Sequence, residues 1–365
     1  MAKAPSPVPV HKNAFPHNNG PGQIMRAITP LLLMLALAGP AAAEPTLRFE
    51  VPTTVSPEAA KDLAAIYAVS SRLPPATKPV SLEDWDRQRE ALDKRMIPAS
   101  NAVVARLGAS VRDDQIGGVP VVRILPAGYK PSGRTLIYLH GGGYTRFSAH
   151  SRLGPPALVA AATGDEVISV DYTVAPRGNW RVITDQVLSV WRALLAKGTA
   201  PASIGIFGDS AGGGIAAGSV LKMRDQGLPL PGALYLMSPS SDITYTGDSY
   251  LTLSRVDPVL DLDSSKWGAD VYADPKDQKN PYVSPVYGDY AKAFPPTLIQ
   301  GGTREMLLSN FVREYQVIRG GGHEAVLDLY EGMPHVFQGS VPNTPETRTA
   351  IARAAAFLKT HLTPR

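Results

Sequence analysis

The chain has 365 residues, 44% of them apolar and 19% charged, with a formal net charge of +4 and no cysteine. That length and composition describe a globular protein able to bury a large core. The lack of thiols excludes a cysteine nucleophile, thiolate metal centres and disulfides, and the scattered Lys and Arg, with no basic run interleaved with aromatics, argue against nucleic acid as a partner.

Near the N-terminus, Arg26 precedes the apolar run ITPLLLMLALA at 28–38, and Ala41-Ala42-Ala43 follows. A basic residue, a short apolar core and a small-residue cleavage site describe a secretory signal peptide. The run is shorter than the roughly 20 apolar residues of a membrane span. Residues 25–43 are therefore expected to be a signal peptide, with 1–24 a mis-start or disordered leader ahead of Met25. The processed chain would be exported, periplasmic or secreted, with no stable membrane insertion; a cytoplasmic location follows if the segment is not a functional signal. An uncleaved membrane anchor is the competing reading.

Two helical patterns come next. Ser56-Pro57-Glu58 supplies an N-cap, a first-turn proline and an acid at the positive end of the dipole. Ser81 opens the second pattern, with Leu82, Trp85, Leu92 and Met96 on one face. Residues 44–115 thus read as an N-terminal helical region that either caps a site or packs on the outside. From residue 116 to 365 short apolar strands alternate with helices. The expected strands are Val119–Ile124, Thr135–Leu139, Val167–Val170, Ile204–Phe207, Ala233–Met237, Thr297–Ile299 and Ala325–Leu329, with helices over Val182–Leu195 and Ala211–Met223. Near-continuous apolar strands of this kind predict an α/β fold with a mostly parallel sheet covered on both faces. Function then gathers at the carboxyl ends of the strands.

The strongest chemical signal is Gly208-Asp209-Ser210-Ala211-Gly212-Gly213, which follows the strand IGIF and opens a helix. Gly-x-Ser-x-Gly at a strand–turn–helix junction is a nucleophile elbow, with Ser210 as the nucleophile. The turn is crowded, so the positions two before and two after the serine must lack bulk, and both are glycine. A trypsin-like GDSGG reading fails because no matching histidine motif lies upstream and the strand pattern is α/β. Asp209 belongs to the turn and is expected to hydrogen-bond nearby backbone. The second signal is His140-Gly141-Gly142-Gly143-Tyr144, straight after the strand TLIYL. Bare glycine amides can approach a developing oxyanion and, with the Ala211 amide, would hold it.

Seven histidines compete for the role of base. His11 and His17 precede the expected signal peptide, and His361 sits in the C-terminal tail. His140 braces the glycine loop, while His150 and His323 lack a distinctive setting. His335, in the loop Gly332-Met333-Pro334-His335 after the strand AVLDLY, fits by position and by chain order. The acid should fall between Ser210 and His335. Glu305, after the strand end TLIQGG, is favoured; Asp242, Asp257, Asp261, Asp263 and Asp274 are the alternatives without that strand-end placement. No metal or phosphate-loop motif appears, so no cofactor is expected.

With these residues the chain resembles the hormone-sensitive-lipase-like group of α/β-hydrolases, which includes bacterial carboxylesterases. The resemblance runs from about Val51 onward and rests on HGGGY at 140–144, DYTVAP at 171–176, GDSAGG at 208–213, SPSSD at 238–242, PPTLIQGGTREMLL at 296–308 and GMPHVFQ at 332–338. It implies an α/β-hydrolase fold, a Ser210–His335–Glu305 triad, oxyanion donors Gly141, Gly142 and Ala211, and a cap built from the N-terminal helices and part of residues 240–290. It also implies a small-molecule ester as substrate, cleaved through an acyl-enzyme, with short acyl esters or lactones favoured. Tyr144, Phe147, Trp180, Met306 and Phe337 are candidate pocket liners. Arg177-Gly178-Asn179-Trp180 replaces the His-Pro-rich turn common in the group, and the acid is Glu rather than the commoner Asp. Two other readings stay open: a binding protein on the same fold, as in the plant gibberellin receptors that lack the histidine, and an amidase or peptidase using the same triad. The assembly is left open, with a homodimer among the options.

Overall fold

The computed structural model describes residues 50–364. The leader and signal segments expected at 1–43 lie outside the described residues. Helix α1 (Pro57–Ser70) opens as expected, the Ser56 hydroxyl accepting from Ala59 N. Helix α2 (Leu82–Arg106) is capped in the same way by Ser81. Strands β1 (Ser110–Ile116), β2 (Val119–Leu125) and β3 (Thr135–Leu139) follow, then α3 (Gly154–Thr163), β4 (Glu166–Val170), α4 (Trp180–Ala196), β5 (Ile204–Asp209), α5 (Ala211–Asp225) and β6 (Ala233–Met237). The chain continues through α6 (Ser249–Thr252), α7 (Leu262–Tyr272), β7 (Thr297–Gly302), α8 (Leu308–Gly320), β8 (Ala325–Tyr330), α9 (Phe337–Ser340) and α10 (Pro345–His361).

The strands form one eight-stranded sheet in the order β1-β2-β4-β3-β5-β6-β7-β8. It is parallel from β4 to β8, with β1 and β2 antiparallel at one edge. Successive side chains of a strand face opposite ways. Ile137 and Leu139 of β3 accordingly join the core under α4, α5 and α8, whereas Leu136 and Tyr138 join the one under α3 and α10. Because both faces are buried, the central strands β3, β4, β5, β6 and β7 read as largely apolar runs with no alternation.

The sheet begins at Ser110, ahead of the boundary expected at residue 116. Strand β1 (SVRDDQI) is an edge strand with most of its side chains exposed, so it carries no apolar pattern. Its register with β2 is set by the turn Gly117-Gly118, both at positive φ, which joins Ile116 to its partner Val119.

The chain leaves β3 for β4 on one side and returns to β5 on the other, which makes β3/β5 a topological switch point. A crevice opens there beyond the carboxyl ends of the strands. Leu139 pairs with Gly208 across those ends, so the glycine turn and the serine turn emerge side by side. Helix α1 packs through Ala59, Leu63 and Tyr67 against Met333, Phe337 and Val341, which flank the histidine loop.

Candidate active site

Ser210 sits between β5 and α5 at φ 54 and ψ −124. Positive φ is strained for a residue with a Cβ, and the surroundings enforce it. Ser210 N donates to Met237 O at 2.8 Å, while its carbonyl accepts from Gly213 N at 3.0 Å and Ser240 N at 2.9 Å. A Cβ at Gly208 would lie 2.5 Å from Gly212 O, and one at Gly212 would lie 2.0 Å from Leu139 O. The expected lack of bulk on both sides of the serine is thus a steric requirement of the turn.

Asp209 ties the two turns together. Its Oδ1 accepts from Gly141 N at 2.8 Å and from the Tyr138 hydroxyl, and its Oδ2 accepts from Arg152 at 2.6 Å. Burial pushes this carboxyl up, but Arg152, Tyr138 and the Gly141 amide outweigh it and hold the group below the usual carboxylate range. The His140 ring stacks on Tyr172 with centroids 4.3 Å apart, and its Nδ1 pairs with Gly141 O at 2.8 Å. That ring braces the loop, as its setting in the glycine motif suggests.

His335 lies on the loop after β8 and is 4% exposed. Its Nδ1 meets Glu305 Oε2 at 2.7 Å. The other carboxylate oxygen of Glu305 accepts from Gly302 N and from Ser238 Oγ, the latter at 2.8 Å. Ser238 Oγ in turn accepts from Val336 N at 3.0 Å. One hydroxyl therefore joins the carboxylate to the histidine loop. Sequence reasoning quoted SPSSD without assigning Ser238 a role; its place at the carboxyl end of β6 was the available signal. Among the described residues none of the alternative acids hydrogen-bonds to His335. Asp242 pairs with Arg313, Asp261 caps α7, and Asp257 accepts backbone N–H groups. Asp263 lies in the first turn of α7 and Asp274 faces Lys276.

Ser210 and His335 line one cavity of about 920 Å³. Its floor includes Gly142, Gly143 and Ala211, and its other walls come from residues 70–76, 88–92 and 254–265. Among the described residues the Ser210 hydroxyl makes no hydrogen bond; such contacts commonly tighten only when substrate is bound. Among the described residues, likewise, no group of three His, Asp or Glu side chains could hold a metal ion.

Comparison with known proteins places the chain. A model of the α/β-hydrolase fold matches residues 136–339. An acetyl-hydrolase of Streptomyces hygroscopicus is 31% identical over 76% of this chain and 88% of its own length. An esterase of Acinetobacter venetianus is 32% identical over 61% of this chain and 73% of its own. The crystal structure of esterase E25 superposes with a TM-score of 0.77 at 30% identity, covering 86% of this chain and 96% of that one. An esterase of the bacterial hormone-sensitive lipase family gives 0.73 at 29% identity, covering 84% and 99%. The chain belongs to the α/β-hydrolase family. Within it, the chain is a carboxylesterase-like hydrolase of the hormone-sensitive-lipase-like group.

In this α/β-hydrolase the expected set of oxyanion donors, Gly141, Gly142 and Ala211, needs one correction. The Gly141 amide is already spent on Asp209, and a Cβ there would lie 2.9 Å from Ser210 Cβ. Gly141 is thus a packing glycine. Gly142 and Gly143, at φ 127 and 60, line the cavity instead. Among the described residues no acceptor takes the amides of Gly142, Gly143 or Ala211. The pocket expectation also divides. Tyr144 and Phe147 line the cavity. Trp180 is instead buried at the start of α4, its Nε1 donating to Asp277. Met306 is fully buried beneath the Glu305 turn, and Phe337 packs on Tyr330 and the α1 side. For Met306 and Phe337, proximity along the chain to a candidate site residue places the side chain in the core behind it.

Proposed function

We propose that this hydrolase cleaves carboxylic esters with small acyl groups through an acyl-enzyme on Ser210, with His335 as base and Glu305 as its orienting acid. The observation that carries the reading is the 2.7 Å Glu305–His335 contact opening onto the cavity that also holds Ser210 and three unpaired amides. His335 takes the Ser210 proton as Oγ attacks the ester carbonyl. The carbonyl oxygen becomes an oxyanion and accepts from the amides of Gly142, Gly143 and Ala211, residues that line the cavity. Glu305 keeps Nδ1 protonated and stabilises the imidazolium, which then protonates the departing alcohol. Water, deprotonated by His335, attacks the acyl-enzyme and releases the acid.

Small acyl groups are favoured because the aromatic side chains of Tyr144 and Phe147 line the cavity together with the oxyanion glycines, and the Streptomyces relative is named for acetyl hydrolysis. The test is hydrolysis of p-nitrophenyl acetate, butyrate, octanoate and palmitate by wild type and Ser210→Ala. Turnover that peaks at acetate or butyrate and disappears in the variant is expected. Equal turnover by the folded variant would remove Ser210 from the mechanism, and a maximum at palmitate would overturn the acyl-size assignment.

A further inference from the structure

A second buried carboxylate lines the same cavity as the histidine. Asp257, in the segment between α6 and α7, is 5% exposed and lines the cavity with Ser210 and His335. Its Oδ1 accepts from Val259 N and Leu260 N, each at 2.9 Å. Its Oδ2 accepts from Met306 N, also at 2.9 Å, and Met306 directly follows Glu305. The neighbouring Pro258 carbonyl accepts from Ser70 Oγ at 2.5 Å, at the end of α1. Asp257 thus stands where the cavity roof, the acid's turn and the helix packed on the histidine loop come together.

We propose that Asp257 is a positioning residue for ester cleavage, clamping the roof segment to the Glu305 turn and presenting a second negative charge to the imidazolium formed on His335. The inference rests on the roles proposed for His335 and Glu305. Three neutral N–H donors satisfy the carboxylate, but among the described residues no Lys or Arg pairs with it. Burying a charge without a counter-ion is costly, and here the group that becomes cationic during the reaction is His335. Burial pushes the Asp257 carboxyl up to about 6, while His335 and the three amides act in the opposite direction. The other charged groups lining the cavity are Arg146, Arg152, Asp209 and Asp261. Arg152 is neutralised by Asp209, and burial holds Arg146 below its usual range, with Asp261 opposing. Arg255, on the same segment, is exposed.

The experiment compares wild type, Asp257→Asn and Asp257→Glu. The readouts are the pH profile of kcat/KM with p-nitrophenyl butyrate and the NMR titration of the His335 ring. Asn removes the charge and keeps one acceptor oxygen, so its NH2 must face either Met306 N or the Val259 and Leu260 amides, and Glu controls for that lost contact. The expected result is a fall in kcat of about tenfold with little change in KM. The acid limb should move to lower pH by about 0.5 or more, because an imidazolium that loses an anionic neighbour gives up its proton more readily. Glu should restore the wild-type limb. An unchanged limb and an unchanged ring titration in Asn would reduce Asp257 to packing and overturn the proposal. If Asn does not fold, wild type labelled at Asp Cγ and His nitrogens replaces it, with the Asp257 resonance assigned from Asp257→Glu. Asp257 and His335 should then titrate as a coupled pair, and independent titration overturns the proposal. The NMR readouts need no turnover, so they separate failure here from failure of the esterase reading.

Discussion

In the floor of the cavity, built by the turns after β3, β5, β7 and β8, most polar side chains are held in place. Asp209 has three partners and Glu305 has three, while Ser238 joins the acid to the histidine loop. The roof, from residues 70–76 and 254–265, instead presents apolar side chains to solvent at the cavity mouth. Leu73 is 62% exposed and Val259 45%. A floor built from backbone close approach fixes where charge can develop. A roof built from loosely packed side chains fixes only which molecules find surface to bury. Substitutions in the floor, or of the buried Asp257 beneath the roof, should therefore slow every ester alike, whereas substitutions of exposed roof side chains such as Leu73 and Val259 should re-rank esters at nearly constant chemistry.

The largest effect is expected from Glu305→Gln. The amide keeps the shape but carries no charge and turns an acceptor toward a ring nitrogen that needs one, or a donor that forces the wrong tautomer. Loss of the equivalent carboxylate charge in such triads costs about 10⁴ in kcat. A loss below tenfold, measured on p-nitrophenyl acetate, would break the floor assignment at its centre. Gly142→Ala comes next. Gly142 stands at φ 127, and a Cβ would lie 2.4 Å from Arg146 O, so the loop must shift and withdraw its amide. Removing one oxyanion donor costs about 10²–10³ in kcat. The same change at Gly143, where a Cβ meets nothing within 4 Å, should disturb the loop less despite its φ of 60.

The floor was more legible in the sequence than the roof, for a physical reason. Tight turns admit few residue types, so GDSAGG and HGGG announce their backbone geometry, and His335 and Glu305 follow from strand ends and chain order. What a side chain does with a neighbouring amide leaves no such trace. Gly141 was expected as a donor and Gly143 was not, because the motif does not show the Asp209 oxygen that takes the Gly141 amide. Ser238 was passed over because a serine at a strand end has many uses, and only the folded chain brings Glu305 and Val336 to its hydroxyl. Met306 and Phe337 misled because an apolar residue beside a candidate catalytic turn serves the core as readily as the pocket, and Trp180 because it opens a helix on that helix's buried face. Strand β1 escaped because an exposed edge strand has no apolar pattern, although the Gly117-Gly118 turn between Ile116 and Val119 was a usable hairpin signal.

The smallest expected effect is the one that best separates the two regions. Leu73→Ala removes exposed apolar surface from the cavity lining, in a segment separate from the turns that carry Ser210 and His335. An octanoyl chain that extends to the roof would lose contact worth about one buried methylene, roughly 0.8 kcal/mol, or about a fourfold drop in kcat/KM. Hydrolysis of the acetate ester should stay within twofold of wild type. The informative quantity is the octanoate-to-acetate ratio of kcat/KM, since it cancels any general loss of active protein. That ratio should fall in Leu73→Ala and stay constant in Gly142→Ala, although the second variant is far slower. A constant ratio in Leu73→Ala would mean that long acyl chains leave the cavity by another wall, with Val259 and its neighbours the next surface to truncate.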